Sequence, residues 1–220
     1  MKTSVSQVSE TCLMVYLGDA IDPSLVGQLA HFTQRLKSHF SSGIVEVVPS
    51  YTSVLIEFCP LRVEVANLLV WCREQIQRMA FEAHSDQPLG KLVHLPVFYH
   101  PDVAPDLMDL ARLKSLSIEQ VIDIHSQTEY TVCAIGFAPG FAFLGSVDPR
   151  IAIPRHHSPR LKVAQGSVGI ADQQTAVYPL DTPGGWNIIG RCPDMLFQSP
   201  SDNTNNCKKN TICRIQVGDT

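Results

Sequence analysis

Residues 136–145 read GFAPGFAFLG, three glycines and a proline set among three phenylalanines. Glycine and proline both interrupt helices and weaken strand interiors, so this stretch is a turn leading into a short strand rather than a regular element. The surroundings repeat that texture. From Tyr130 onward, YTVCAIGF, FAFLG, IAIP, SVGIA, TAVYPL and WNIIGR alternate with Gly/Pro turns, and helical periodicity disappears. Short strands broken by frequent turns indicate a β sandwich or barrel.

Upstream, LVHLPVFY (92–99) reads as a strand, with Pro96 marking an edge or a strand end. Two short helices follow it. In the second, Ser117 and Gln120 form a capping box ahead of Val121, Ile122 and Ile124. Downstream, Ser199–Lys209 is polar and reads as a mobile loop before a final strand near Thr211–Val217.

The first ninety residues have a different rhythm. TCLMVYLG (11–18) is a strand, and Asp22-Pro23 offers an N-cap with proline at the first helical position. Leu25, Leu29, Phe32, Leu36 and Phe40 then line one face of a helix that Ser41-Ser42-Gly43 stops. IVEVV (44–48) and TSVLIEF (52–58) flank a turn at Pro49-Ser50-Tyr51, a hairpin. A second helix over roughly 61–82 presents Val65, Leu68, Leu69, Cys72 and Ile76 on one side. The order β-α-β-β-α is that of a split βαβ, ferredoxin-like unit. Asp86-Gln87-Pro88-Leu89-Gly90 is a natural linker, which gives an α+β chain with domains over 1–88 and 89–220.

Composition narrows the functions. The 220 residues carry 17 Lys and Arg against 21 Asp and Glu, a formal charge of −4, so no basic surface steers the chain to nucleic acid or anionic membranes. The start, MKTSVSQVSE, lacks the apolar segment of a signal peptide, and the best apolar run, Leu61 to Trp71, holds Arg62 and Glu64; a cytoplasmic protein is expected. Seven cysteines at irregular spacing, without C-x-x-C, argue against a disulfide framework or a zinc knuckle. Cys12, Cys59, Cys72 and Cys133 read as buried, inert thiols. His156 and His157 are adjacent, and in extended chain neighbours point to opposite faces, so no metal site is expected.

Phosphate-loop, dinucleotide, zincin and nucleophile-elbow motifs are missing. Three glycine-bearing stretches remain: 136–145, AQGSVGIADQQTAVYP (164–179) and TPGGWNIIGR (182–191). Glycine lets backbone N–H groups approach a ligand, and Trp186 supplies a flat wall beside them. Arg155 and Arg160 lie between the stretches, and their guanidinium forks suit a carboxylate or phosphate. Taken by composition alone, these read as barrel turns and core aromatics rather than a ligand site.

Read in order, H-x-x-x-E-Y-x-V (from His125), GFAPGFAFLG, I-P-R, S-P-R-L, GSVGIA, QTAVYPL and TPGGW-x-I-I-G-R resemble one family. It is variously called the 5-oxoprolinase B subunit, kinase-inhibitor KipI and allophanate hydrolase subunit 1. The resemblance runs from about 11 to 198 and is most specific over 125–191. It implies a small α/β domain followed by a cyclophilin-like β-barrel. It also implies two partner subunits: one of the C type, barrel-like as well, and one of the A type, metal-dependent. The assembly implied opens 5-oxoproline to glutamate with ATP, held by the complex or by this chain, and no metal is implied in this chain.

The positions matching the family's signatures are His125, Phe137, Pro139, Gly140 and Phe141; Arg155 and Arg160; Gly166, Gln174, Thr175 and Tyr178; and Pro183, Gly184, Gly185, Trp186 and Arg191. The chain departs from the family at Val163-Ala164-Gln165-Gly166, where Val-Pro-Ala-Gly is usual, and at Asp172 and Ala176, where glycine is usual. If those two positions require positive φ, aspartate tolerates it better than alanine. The end, Val217-Gly218-Asp219-Thr220, stands where the family continues into a further strand, so a shortened last barrel strand is expected.

Lactam opening must overcome amide resonance, and phosphorylating the amide oxygen with ATP makes the carbon open to water. Such a site needs donors for a developing oxyanion and cations for phosphate and carboxylate. Glycine-loop amides would serve the first need and Arg155, Arg160 or Arg191 the second. His125 or Glu129 would act as acid or base, although Glu129 equally suits a structural hydrogen bond. The resemblance leaves two other roles open: a non-catalytic inhibitor of a sensor histidine kinase, and a urea-carboxylase-type carboxyltransferase subunit needing biotin on a partner. A prolyl isomerase rests on the barrel alone, and a fold does not assign an activity.

Overall fold

The structure, a computed structural model, describes residues 3–22, 24–81, 91–197 and 213–219. The chain divides into two compact units, Met1–Leu89 and Gly90–Thr220. Pro23, the linker at 86–90 and the polar segment 199–209 lie outside the described residues.

In the first unit the elements are β1 (Ser4–Gln7), β2 (Cys12–Tyr16), α1 (Ser24–His39), β3 (Ile44–Ser50), β4 (Ser53–Phe58) and α2 (Val65–Phe81). The sheet order is β1-β2-β4-β3. Strand β4 is antiparallel to both β2 and β3, so β2 and β3 run parallel with β4 between them, the split βαβ arrangement. One core is built from alternating Leu13 and Val15 on β2, Val54, Ile56 and Phe58 on β4, and Leu25, Leu29, Phe32 and Leu36 of α1. Leu68, Cys72 and Ile76 of α2 complete it. Burying each large side chain contributes roughly 1.5–3 kcal/mol, which selects the helix faces read from the spacing.

Three local expectations change. Strand β1 is new: SVSQ has no apolar alternation, and the strand forms by laddering on β2 with only Val5 leaning on the core. The hairpin turn falls at Tyr51-Thr52, because Pro49 and Ser50 extend β3 opposite Val54 and Ser53 while Tyr51, at φ 39°, takes the left-handed turn position. Cys12 and Cys59 are only half-buried, whereas Cys72, Cys133 and Cys192 are enclosed.

The second unit runs β5 (Lys91–Val97), α3 (Leu107–Lys114), α4 (Ile118–Gln127), β6 (Glu129–Ile135), β7 (Ala142–Gly145), β8 (Arg160–Val163), β9 (Ser167–Ala171), β10 (Gln174–Val177), β11 (Thr182–Gly184), β12 (Asn187–Arg191) and β13 (Cys213–Asp219). The antiparallel order is β6-β7-β10-β9-β12, while β8 and β11 form a separate pair. Strand β13 lies antiparallel to β6 and parallel to β5. Phe98, just after β5, exchanges two backbone hydrogen bonds with Arg191 at the end of β12 (2.8 and 2.9 Å). IAIP contributes only the single bridge Ile153–Asp172 rather than a strand.

The Ser117–Gln120 capping box forms in both directions and starts α4. Beneath the helices, Val97, Leu107, Leu110, Val121, Tyr130, Val168, Ile170 and Ile189 make the main core. A smaller cluster gathers Phe141, Val163, Ala176, Tyr178 and Ile188. The molecule is therefore mixed α/β, with extensive antiparallel sheet and four helices among the described residues. None of its described helices is long and apolar enough to cross a membrane.

Candidate functional site

The stretch 136–145 is the β6–β7 connection. Gly136 N–H donates to Phe141 O (3.1 Å), and Phe141 N–H donates to Ala138 O (3.0 Å), which folds the loop onto itself. Phe137 (φ 67°) and Gly140 (φ 80°) both take left-handed backbone. Gly140 is required there twice over, because an added Cβ would also strike Phe197. The two phenylalanines part company: Phe137 is 66% exposed, whereas Phe141 is buried.

Phe141 is the hub of an aromatic cluster. Its ring meets Tyr178 at 5.3 Å and Trp186 at 5.7 Å, both edge-on, and Phe143 at 4.8 Å. Phe137 stands 5.2 Å away on the outer side. Gly184 leaves room for the Tyr178 hydroxyl, which a Cβ would strike. Thus the first and last glycine stretches and Tyr178 of the middle one converge, although 40 residues or more of sequence separate Phe141 from Trp186.

The arginines border this cluster with unequal freedom. Arg160 donates to Asp106 Oδ1 at 2.6 Å and to the Trp186 carbonyl at 3.3 Å. Arg155 packs against Gly185, is exposed, and makes no ion pair among the described residues. His156 donates its backbone N–H to Gly185 O at 2.7 Å, which fixes the Arg155 segment on the TPGGW loop. Its Nε2 stands 3.4 Å from Asp106 Oδ1 without making a hydrogen bond. Burial pushes the Tyr178 hydroxyl above its usual range, against a Trp186 backbone donor and the positive charges of Arg155 and Arg160, which pull it down. Tyr178 stays a neutral phenol at neutral pH.

Asp106 is the residue the sequence reading missed. It sits at the N-cap of α3, yet its side chain does not cap that helix. Oδ2 accepts the Ile188 N–H at 2.6 Å, and the Asp106 N–H donates to Ile188 O at 3.0 Å. The carboxylate therefore joins α3 to β12 and supplies the counter-charge for Arg160. The only local signal was Pro105-Asp106 before a helix, which announces a cap and not a site.

Other expected residues lie elsewhere. His125 is fully buried on α4. Its Nε2 faces Thr175 Oγ1 at 2.9 Å and its Nδ1 faces the Tyr99 hydroxyl at 2.7 Å. Thr175 donates its hydroxyl proton to Gly169 O (3.0 Å), so it accepts from Nε2–H, and Nδ1 accepts from Tyr99. Burial holds the imidazole neutral, with its pKa lowered to about 3. Glu129 is exposed at the start of β6, and Gln174 opens β10 opposite Gly145 and Ala171. Pro139 is exposed at the loop tip.

Gly166 (φ 81°) and Arg191 form a second group with Cys192 and Asp181. A Cβ on Gly166 would strike the Cys192 carbonyl, and Arg191 Cγ borders the same spot. The Asp181 carboxyl is lowered first by its hydrogen bond from Lys162, then by the Gln165 N–H, with the positive charge of Arg191 adding least. The three arginines are thus divided between two places. Among the described residues no three His, Cys, Asp or Glu side chains group as metal ligands.

A family model described as "Carboxyltransferase domain, subdomain C and D" matches residues 3–207. The chain belongs to that family. Within it, the chain is 34% identical to the B subunit of 5-oxoprolinase from Bacillus subtilis (strain 168), over 92% of this chain and 87% of that protein. It is 25% identical to the urea amidolyase of Saccharomyces cerevisiae, over 86% of this chain and 12% of that much longer one. A crystal structure of TTHA0988 matches 95% of this chain with 27% identity and a TM-score of 0.77, and the match spans 39% of that chain. The aromatic cluster, its glycines and the Asp106–Arg160 pair all lie within the matched residues.

Proposed function

We propose that the chain is the B subunit of a 5-oxoprolinase, which hydrolyses 5-oxo-L-proline to L-glutamate with ATP. It acts in the cytoplasm with two partner subunits, one barrel-like and one metal-dependent. The single observation that carries this is the likeness to the B subunit of a 5-oxoprolinase over 87% of that protein's length. The convergence of Phe141, Tyr178, Trp186, Gly184, Gly185, Arg155 and Arg160 supports it by supplying a place for the chemistry. The boundary at 88/89 and the two finer folds, ferredoxin-like and cyclophilin-like, belong to the same proposal. The paired hydrogen bonds between Phe98 and Arg191 are where the second sheet would close as a barrel.

In this reading the lactam oxygen takes the γ-phosphoryl group and ADP leaves. Water adds to the activated carbon, the C–N bond opens as nitrogen takes a proton, and a second water cleaves the resulting acyl phosphate, which gives glutamate, ADP and phosphate. Arg155 is the cation open to an anionic group, since Arg160 is already paired with Asp106. His125, enclosed and neutral, supports β10 through Thr175, and proton transfer falls to groups outside that core. The test is reconstitution with the candidate partners, measuring 5-oxoproline-dependent ADP release. Loss of that release in Arg155→Ala supports the reading; no substrate-dependent release in any combination of subunits overturns it.

The likeness to urea amidolyase favours a second reading, a carboxyltransferase subunit served by a biotin-carrying partner. Carboxyl transfer that depends on a biotinylated partner and ignores 5-oxoproline would select it.

A further inference from the structure

The helices of the first unit enclose a groove unconnected with the aromatic cluster. From α1 it is lined by His31, Gln34, Arg35 and Ser38, and from α2 by Trp71, Glu74, Gln75 and Arg78, with His39 at one end. Both sets follow the i, i+3, i+4, i+7 spacing of one helix face, so the groove is a continuous polar seam between two regular elements. Its volume, about 700 Å³, lies in the range of small-molecule sites.

Two features of this seam, at Arg35 and Gln75, lack a structural explanation. Half-buried Arg35 makes no ion pair among the described residues, although Glu74 lines the same groove, and exposed Arg78 is open beside it. Gln75 is 4% exposed, and its Oε1 meets no hydrogen-bond donor. A buried amide oxygen without a partner is destabilising, and hydrophobic residues are the ordinary occupants of such a position. Beside them Trp71 stacks on His39 at 5.5 Å and 22°, which makes a flat wall. The groove therefore offers guanidinium groups for an anion, an acceptor for an N–H and a planar surface.

We infer that this groove binds a small carboxylate that also carries an N–H donor: the carboxylate on Arg35 and Arg78, the N–H on Gln75 Oε1, and the body of the molecule against Trp71. Lactam acids and α-amino acids share that chemistry. For an amino acid the ammonium would also approach Glu74. The groove itself does not depend on the proposed function; only the choice of probes, 5-oxo-L-proline and L-glutamate, rests on that reading.

Calorimetric titration of the full chain with each probe separately tests the site. Saturable binding of either probe at millimolar concentration or tighter is expected. The double variant Arg35→Ala/Arg78→Ala should weaken it at least about tenfold, as should Gln75→Leu, which keeps the side chain's volume and removes the acceptor. The titrations are made on protein carrying Arg155→Ala, which removes the anion partner proposed at the aromatic cluster, and Arg73→Ala, an exposed arginine of α2 outside the groove, should leave the binding unchanged. Absence of saturation with both probes overturns the proposal, as does binding that survives all three changes in the groove or is lost equally in Arg73→Ala. If the groove binds while the reconstituted complex shows no 5-oxoproline-dependent ADP release, the proposed function falls and the groove stands.

Discussion

Asp106 and Arg160 meet at 2.6 Å across 54 positions of sequence, and the other oxygen of Asp106 holds the Ile188 N–H at the same distance. One carboxylate thus fixes an arginine beside the Trp186 loop and anchors β12 to the start of α3. Its side chain is nearly enclosed, whereas a third of Arg160 reaches solvent. Asp106→Ala leaves the arginine unpaired and an Ile188 N–H without its acceptor. We expect a loss of about 2–3 kcal/mol, toward the low end for a broken buried pair because Arg160 is partly solvated. Urea denaturation measures it, and a change under about 0.5 kcal/mol would show that the pair is incidental.

His125 makes stability depend on pH. Its folded pKa, about 3, lies below the ordinary histidine value, so the unfolded chain binds the extra proton first. The contribution is fully present above about pH 6.5 and is lost as pH falls toward 3, with a slope near 1.4 kcal/mol per pH unit from this group. His125→Gln keeps hydrogen-bonding capacity and removes the titration. Between about pH 6 and about pH 4, the denaturation midpoint of the variant should fall less steeply than that of the parent. Parallel curves would assign the acid sensitivity to other groups.

Much of this fold was legible because its signals are local. Leu25, Leu29, Phe32 and Leu36 announce α1 by spacing, and Ser117 with Gln120 announces α4 by reciprocal capping. The β9–β10 hairpin is readable in SVGIADQQTAV because two turn residues separate two apolar runs. Strand β1 was not, since a polar edge strand gains its definition from β2 and not from its own composition. The site divides in the same way. The glycine and aromatic stretches are contiguous, but Asp106 serves partners 54 and 82 positions away, and nothing beside it in sequence reports them. His125 stood out by residue type, and only packing reveals that no face of its ring reaches solvent.

The two departures from family glycines differ physically. Asp172 sits at φ 53°, in the two-residue turn between β9 and β10, and aspartate is among the residues that tolerate it. Ala176 lies within β10, fully buried, at ordinary strand φ. Asp172→Gly should shift stability by less than about 1 kcal/mol, whereas Asp172→Val, β-branched at positive φ, should lose about 1–2 kcal/mol. Ala176→Gly should lose about 1 kcal/mol by loosening a packed strand. Thermal unfolding of the three variants gives the ranking, and an Asp172→Val protein as stable as the parent would contradict the turn geometry.

Phe137 presents the opposite relation between stability and use. Its backbone is held at φ 67°, where a bulky residue is disfavoured, and its ring is 66% exposed, so burial does not offset the strain. Among the described residues the ring meets one other aromatic ring, that of Phe141, edge-on at 5.2 Å. Strain that burial does not offset motivates a test of whether the ring meets something outside the fold. Phe137→Gly relieves the backbone, and relief of about 1 kcal/mol outweighs a weak exposed ring contact. The variant should therefore match or exceed the parent in denaturant resistance while losing ADP release, or affinity for a partner, in the reconstituted complex. Phe137→Tyr, which keeps an aromatic ring at the same φ, should restore the function without the gain in stability. A glycine variant that is less stable than the parent and fully functional would place the ring in the fold instead.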